Sequence, residues 1–337
     1  MHNARVRFLL SLGMIAILAT SGCGLPIPGA GGGGAPANEP AATLPPAQPT
    51  SPPTSTAIPH LATPGSGAEA VANAHDNEES TSFENKNVTV GDEFRINRFE
   101  RPFTADTMDY LPQIDIVGMS MTQDDTWYYV QIKLVGTDPV TNDLSGIYGV
   151  EFDLNKDGKT EVLALAQGPI GPDWTANGVA LYADLNGDIG GASSRPDDIY
   201  SGDGYETKVY EGGVTYVTAQ AGGEDPDLVW VRGSTSTHVV EFGMKKSVLK
   251  DYPEWMWNPL ASAYPLDPRK FYFNDTYTLE DAGSPQKGDN YPLKELAGFD
   301  NTCRVPANFE AKGDEPMGCA VKQQKDIEFG GGGGASS

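Results

Sequence analysis

Apolar and polar positions alternate along the chain in short runs, with Gly, Asn, Asp or Pro between them. In Trp127–Val135 the residues Tyr128, Val130, Ile132 and Leu134 fall on one face, and Trp127, Tyr129, Gln131 and Lys133 fall on the other. Period two is the mark of a half-buried strand. Similar runs cover Val88–Ile96, Gly146–Asp153, Thr160–Ala166, Gly178–Asp184, Thr207–Tyr210, Val214–Thr218, Leu228–Arg232, Thr237–Phe242 and Lys270–Phe273. About ten short strands with little helical periodicity predict an all-β fold, a β-sandwich spanning residues 83–273. Two short helices are expected late in the chain, one capped by Thr278 and one opened by Pro292 and closed by Gly298.

Two of these runs end in the same acidic turn. Asp153-Leu154-Asn155-Lys156-Asp157-Gly158 follows the first, and Asp184-Leu185-Asn186-Gly187-Asp188 follows the second. Each places side-chain oxygens at relative positions 1, 3 and 5, the spacing by which a tight loop converges on a hard cation such as calcium. The flanks are strand-like, and Ala164 stands where a helix–loop–helix calcium site starting at Asp153 needs a bidentate Glu, so the first turn is not an EF-hand. The metal ligands expected are Asp153, Asn155 and Asp157, with Asp184, Asn186 and Asp188, supplemented by Glu161, Asp197 and Asp198. The competing reading is that Asp, Asn and Gly simply form turns here.

The termini change the setting. Arg5 and Arg7 precede an apolar stretch, Phe8–Ala19, that is too short to span a bilayer. Thr20-Ser21-Gly22-Cys23 then resembles a bacterial lipobox, so residues 1–22 are expected to be a signal peptide and Cys23 the lipidated first residue of the mature chain. Residues 23–82 are rich in Pro, Ala, Gly, Ser and Thr, which predicts a disordered tether. Residues 274–329 read as a loop-rich extension. Cys303 and Cys319 are the remaining pair of thiols, and in an exported protein they are expected to be bonded. A Gly-rich tail, 330–337, follows.

The formal net charge is −23, and removing a leader that carries Arg5 and Arg7 but no acid takes it to −25. Such a polyanion repels nucleic acid and anionic membrane surfaces, so attachment to the bacterial cell envelope rests on the acyl anchor. No Walker loop, HExxH or GxSxG motif is present. The one histidine of the 83–273 region, His238, reads as a half-buried strand residue. Aromatic side chains suggest carbohydrate, because sugars stack on exposed rings. Trp127 and Trp230 sit within strand patterns and read as core, whereas Trp174, Trp255 and Trp257 read as loop residues that either plug the end of the sandwich or contact a ligand.

The segments Asn97–Ile116, Tyr148–Gly158, Thr175–Gly191, Phe273–Pro285 and Asp300–Arg304 resemble a group of uncharacterised bacterial lipoproteins. Their central part is similar to the DOMON or type 9 carbohydrate-binding-module sandwich. The resemblance implies a calcium-binding extracellular sandwich and glycan binding; it does not imply an enzyme. The expected function is therefore a lipid-anchored, extracytoplasmic binding module with structural calcium, its partner a polysaccharide or an envelope protein. Two readings stay open beside it: an envelope glycoside hydrolase using paired carboxylates, and a passive component of a surface assembly.

Overall fold

The computed structural model describes residues 60–76, 98–104, 107–189, 204–216, 225–249, 252–270 and 297–319. They form two antiparallel sheets. The smaller contains β1 (Glu69–His75), β3 (Ile116–Gln123), β4 (Trp127–Leu134), β10 (Val229–Ser234) and β11 (Val239–Lys245), in the order β1-β3-β4-β11-β10. The larger contains β2 (Glu100–Arg101), β5 (Ile147–Asp153), β6 (Val162–Gln167), β7 (Val179–Ala183), β8 (Thr207–Glu211), β9 (Val214–Thr215), β12 (Trp255–Ser262), β13 (Phe299–Asn301) and β14 (Val305–Ala307). Its order is β2-β13-β12-β5-β6-β7-β8-β9, and β14 joins β12 end to end with β13. The all-β sandwich expected from the alternation is the fold observed.

One continuous core lies between the sheets. Val130 and Ile132 from β4, Phe242 from β11, and Tyr148, Val150 and Phe152 from β5 all enter it and are fully buried or nearly so. Tyr128 and Trp255 link the two sheets, with ring centroids 5.0 Å apart in an edge arrangement. Edge-to-face rings add to simple area burial, because the positive edge of one meets the negative face of the other.

The large sheet is also covered on its other face. Ile147, Leu163, Leu165, Leu260 and Phe299 pack there with Ile189 and Tyr205 as a second apolar cluster. Every residue of β5 and β12 is consequently buried. Glu151 and Asn258, paired across β5 and β12, lie on this covered face. The Glu151 carboxylate accepts from Tyr205 Oη at 2.7 Å and Asn258 Nδ2 at 3.1 Å.

Several boundaries differ from expectation. Residues 60–76 fall within the expected tether, yet residues 60–67 lie against the small sheet and Glu69–His75 is its edge strand. Composition hid this because a strand held by backbone hydrogen bonds to β3 does not need large side chains. The C-terminal extension contributes β13 and β14 to the large sheet rather than standing apart from it. Lys270 closes a 3-10 turn, Pro268–Lys270, and does not begin a strand. Val88–Ile96, residues 271–273, the helices expected at Thr278 and Pro292, the signal peptide and Cys23 lie outside the described residues.

Candidate metal site

Both acidic turns sit at one end of the large sheet, side by side. The first connects β5 to β6 and the second follows β7, and these strands are consecutive neighbours. In the first turn, Asp153 Oδ1 accepts from Lys156 N at 2.7 Å and Oδ2 from Gly158 N at 2.9 Å. In the second, Asp184 Oδ1 accepts from Gly187 N at 2.7 Å and Oδ2 from Ile189 N at 2.9 Å. The two turns thus repeat one hydrogen-bond pattern, to the third and fifth residues after the aspartate. Lys156 and Gly158 take positive φ, +67° and +94°, which lets the chain wind tightly about the carboxylate.

A glutamate completes each turn from the next strand. Glu161, one residue before β6, accepts from Leu154 N at 2.7 Å. Glu206, one residue before β8, accepts from Leu185 N at 2.9 Å. Glu161 was among the expected ligands. Glu206 was not, because residues 189–205 separate it from its turn in sequence. The signal for it is the position immediately before the antiparallel partner strand. Lys159 ties the turns together through Nζ to Gly187 O at 2.5 Å.

Asp153, Asp157 and Glu161 each offer a carboxylate oxygen, and the three atoms lie within 4.8 Å of one another. Calcium–oxygen distances of about 2.3–2.6 Å put two ligands on one ion no more than ~5 Å apart, so the trio fits a single calcium-sized cation. Asp153 is buried, Glu161 half-buried and Asp157 exposed, which leaves an open side toward solvent. Burial, chiefly, pushes the Glu161 carboxyl up to about 7, and the charges of Asp153 and Asp157 push the same way. Burial likewise raises Asp153, against the Arg304 charge and its backbone donors. Mutual repulsion in a poorly solvated place is the condition a divalent cation relieves.

Asn155 is not one of the trio. It spends its amide on Glu161 Oε1 at 2.7 Å and on Asp157 N at 2.8 Å, and so braces the turn. Asp184 and Asp188 do not form a comparable trio: among the described residues no second set of three carboxylates gathers this closely. Asp197 and Asp198 lie outside the described residues.

Arg304, like Glu206, was not expected from the sequence. Its Nη1 lies 2.8 Å from Asp153 Oδ2, and both side chains are buried. Cys303 and Cys319 are bonded as expected, with Cα atoms 4.9 Å apart, and the bridge frames this arginine. Arg304 N donates to Met317 O, and Cys319 N donates to Arg304 O, both at 2.8 Å.

The expected aromatic contacts fare differently. Trp255 and Trp257 belong to β12 and are fully buried in the core, so neither meets a ligand. The Pro253 and Pro259 that flank them in sequence suggested a loop. Pro259 is tolerated because it falls opposite Val150 at the point where β12 passes from β14 to β13. Trp174 is half-buried, donates from Nε1 to Gly65 O at 3.2 Å and carries the Arg232 guanidinium over its ring at 4.4 Å. Comparison with protein-family models, curated proteins and solved structures finds no match.

Proposed function

We propose that this chain is a lipid-anchored, extracytoplasmic binding module of the bacterial envelope, whose acidic turns hold structural calcium. The observation that carries the reading is the convergence of Asp153, Asp157 and Glu161 within 4.8 Å. Oxygen-only donors of full charge suit calcium better than zinc or copper, which favour nitrogen and sulfur. The metal's task here is mechanical. It neutralises a crowded group of carboxylates and fixes the loop end of the sandwich. Attachment through lipid on Cys23 and a polyanionic surface that avoids nucleic acid complete the picture.

Thermal melts of the chain, with calcium and with chelator, test it. Calcium at ~1 mM should raise the melting temperature, by the ~0.4–1.4 kcal/mol per site expected of millimolar-range extracellular sites. Asp157→Asn, at an exposed position, should remove the response without unfolding the protein. An identical melt in calcium and chelator would leave the turns as turns only.

A further inference from the structure

The outward face of the small sheet carries two complete cross-strand rows. One runs His75, Gly118, Lys133, Val239, Ser234, each paired with the next from β1 through β3, β4 and β11 to β10. The other runs Asn73, Ser120, Gln131, Glu241, Arg232 in the same strand order. With strands 4.7–4.9 Å apart, five of them make a face ~19 Å long. The next row, which includes Thr122, Tyr129, Gly243 and Trp230, is covered by residues 60–67 and Trp174. Pro64 lies against Gly243, Tyr129 Oη accepts from Gly65 N, and His60 packs on Trp230. The covered row and its overlying segment therefore wall one side of the two open rows.

The open rows form two adjoining depressions of ≈ 320 and ≈ 450 Å³, which share Gln131 and Val239. Their polar groups are pre-positioned. Ser120 Oγ donates to Gln131 Oε1 at 3.4 Å, and Gln131 Nε2 donates to Glu241 Oε1 at 3.0 Å. Arg232 Nε donates to Glu241 Oε2 at 2.5 Å, so Glu241 is neutralised inside the network. The His75–Lys133 end is different. Gly118 lies between those two side chains and leaves an open floor, and no acid lines that depression. Among the described residues neither Lys133 nor His75 has an acidic partner, in a chain with 46 acids and 23 Lys and Arg.

We propose that this face binds an acidic oligosaccharide, with a uronate carboxylate seated over Gly118 between Lys133 and His75. The polar row of Asn73, Ser120 and Gln131 meets the sugar hydroxyls. A cation without a counter-ion, beside hydrogen-bonding groups held in fixed directions, recognises a carboxylate on a hydroxylated chain. The proposal rests on the reading of the chain as an extracytoplasmic binding module and is independent of its calcium.

Isothermal titration of the full chain with oligogalacturonate tests this, against its methyl ester and a polyglutamate peptide of similar length. The variants are Lys133→Gln and Gly118→Val. A Cβ at residue 118 meets nothing closer than 3.8 Å, so the valine fills the floor while the strand is kept. Binding of the acidic oligomer that weakens about tenfold or more in each variant and in the ester supports the site. No binding, binding indifferent to both variants, or equal binding of the peptide overturns it. The calcium melts do not depend on Lys133, so failure here and failure of the metal reading are separately visible.

Discussion

Arg304 places its guanidinium 2.8 Å from the inner oxygen of Asp153, and both groups are shut off from solvent. The first aspartate of the acidic turn therefore has a permanent cation beside one oxygen, and the solvent-facing side of the carboxylate trio is formed by Asp157 and Glu161. Removing one partner of a buried ion pair strands the other charge, at a cost of ~3–5 kcal/mol. Asp153 retains two backbone donors, so Arg304→Met should cost about 3 kcal/mol, the lower end of that range. Urea unfolding of the variant and the parent, each with calcium and with chelator, measures it. Calcium should narrow the difference between them, because it supplies the charge that the variant lacks.

The disulfide should matter through that same arginine. Cys303 and Cys319 enclose 15 residues, and closing such a loop removes about 3 kcal/mol of unfolded-state entropy. Reduction also frees the backbone bonds that hold Arg304 to Met317 and Cys319. Cys303→Ser with Cys319→Ser should lower stability by about 3 kcal/mol, and by less when combined with Arg304→Met than the two losses added. A double-mutant cycle on unfolding free energies gives the answer. Strict additivity would mean that the bridge and the arginine act separately.

How much of this was legible beforehand follows from which interactions are local. β4, β5, β6, β7, β10 and β11 were readable because their alternation is written in consecutive residues. Asp153, Asp157 and Glu161 were readable because nine residues of one hairpin contain them all. Arg304 and Glu206 were not, since each reaches its turn across a long stretch of chain, and nothing near Arg304 in sequence mentions an aspartate 151 positions away. Trp255 and Trp257 misled for a different reason. With β14 and β13 sharing one side of β12, a Pro-flanked segment becomes a central strand, and only the assembled sheet reveals that.

A second group of carboxylates predicts a pH dependence. Asp300, on β13, is fully buried and accepts from Ile116 N at 2.6 Å. Burial first, then the charges of Asp76 and Asp115, hold its carboxyl well above the usual range, and Glu100 is raised for similar reasons. Arg98, ion-paired with Asp76 and 3.4 Å from Glu100, offsets this only in part. A carboxyl whose folded pKa lies above its unfolded one binds more protons in the folded state. Its effect vanishes below the unfolded pKa, and stability falls as pH rises from there toward the folded value. Asp300→Asn keeps an acceptor for Ile116 N and removes the ionisation. The variant should melt with the parent near pH 4 and progressively above it toward pH 8. Parallel melting curves across that range would mean that Asp300 is no seat of pH sensitivity.

The segment at residues 60–67 should detach through one side chain. Asp227 is fully buried and gathers three donors: His60 Nδ1 at 2.7 Å, Leu61 N at 2.8 Å and Ala62 N at 2.9 Å. Among the described residues no other fixes as much of that strap. Asp227→Ala leaves two backbone N–H groups to water and takes the acceptor from His60, a loss of ~1–3 kcal/mol of local stability. The global fold should survive, because β1 and β3 remain paired beyond Glu69. Release of the strap would uncover Trp230, on which the His60 ring rests at 4.6 Å, and the Trp174 Nε1 contact with Gly65. Hydrogen exchange at residues 61, 62 and 65 should rise in the variant, and tryptophan emission should shift to the red, while amides in β4 and β11 stay protected. Equal acceleration in β4 would show that the strap and the sheet unfold as one unit.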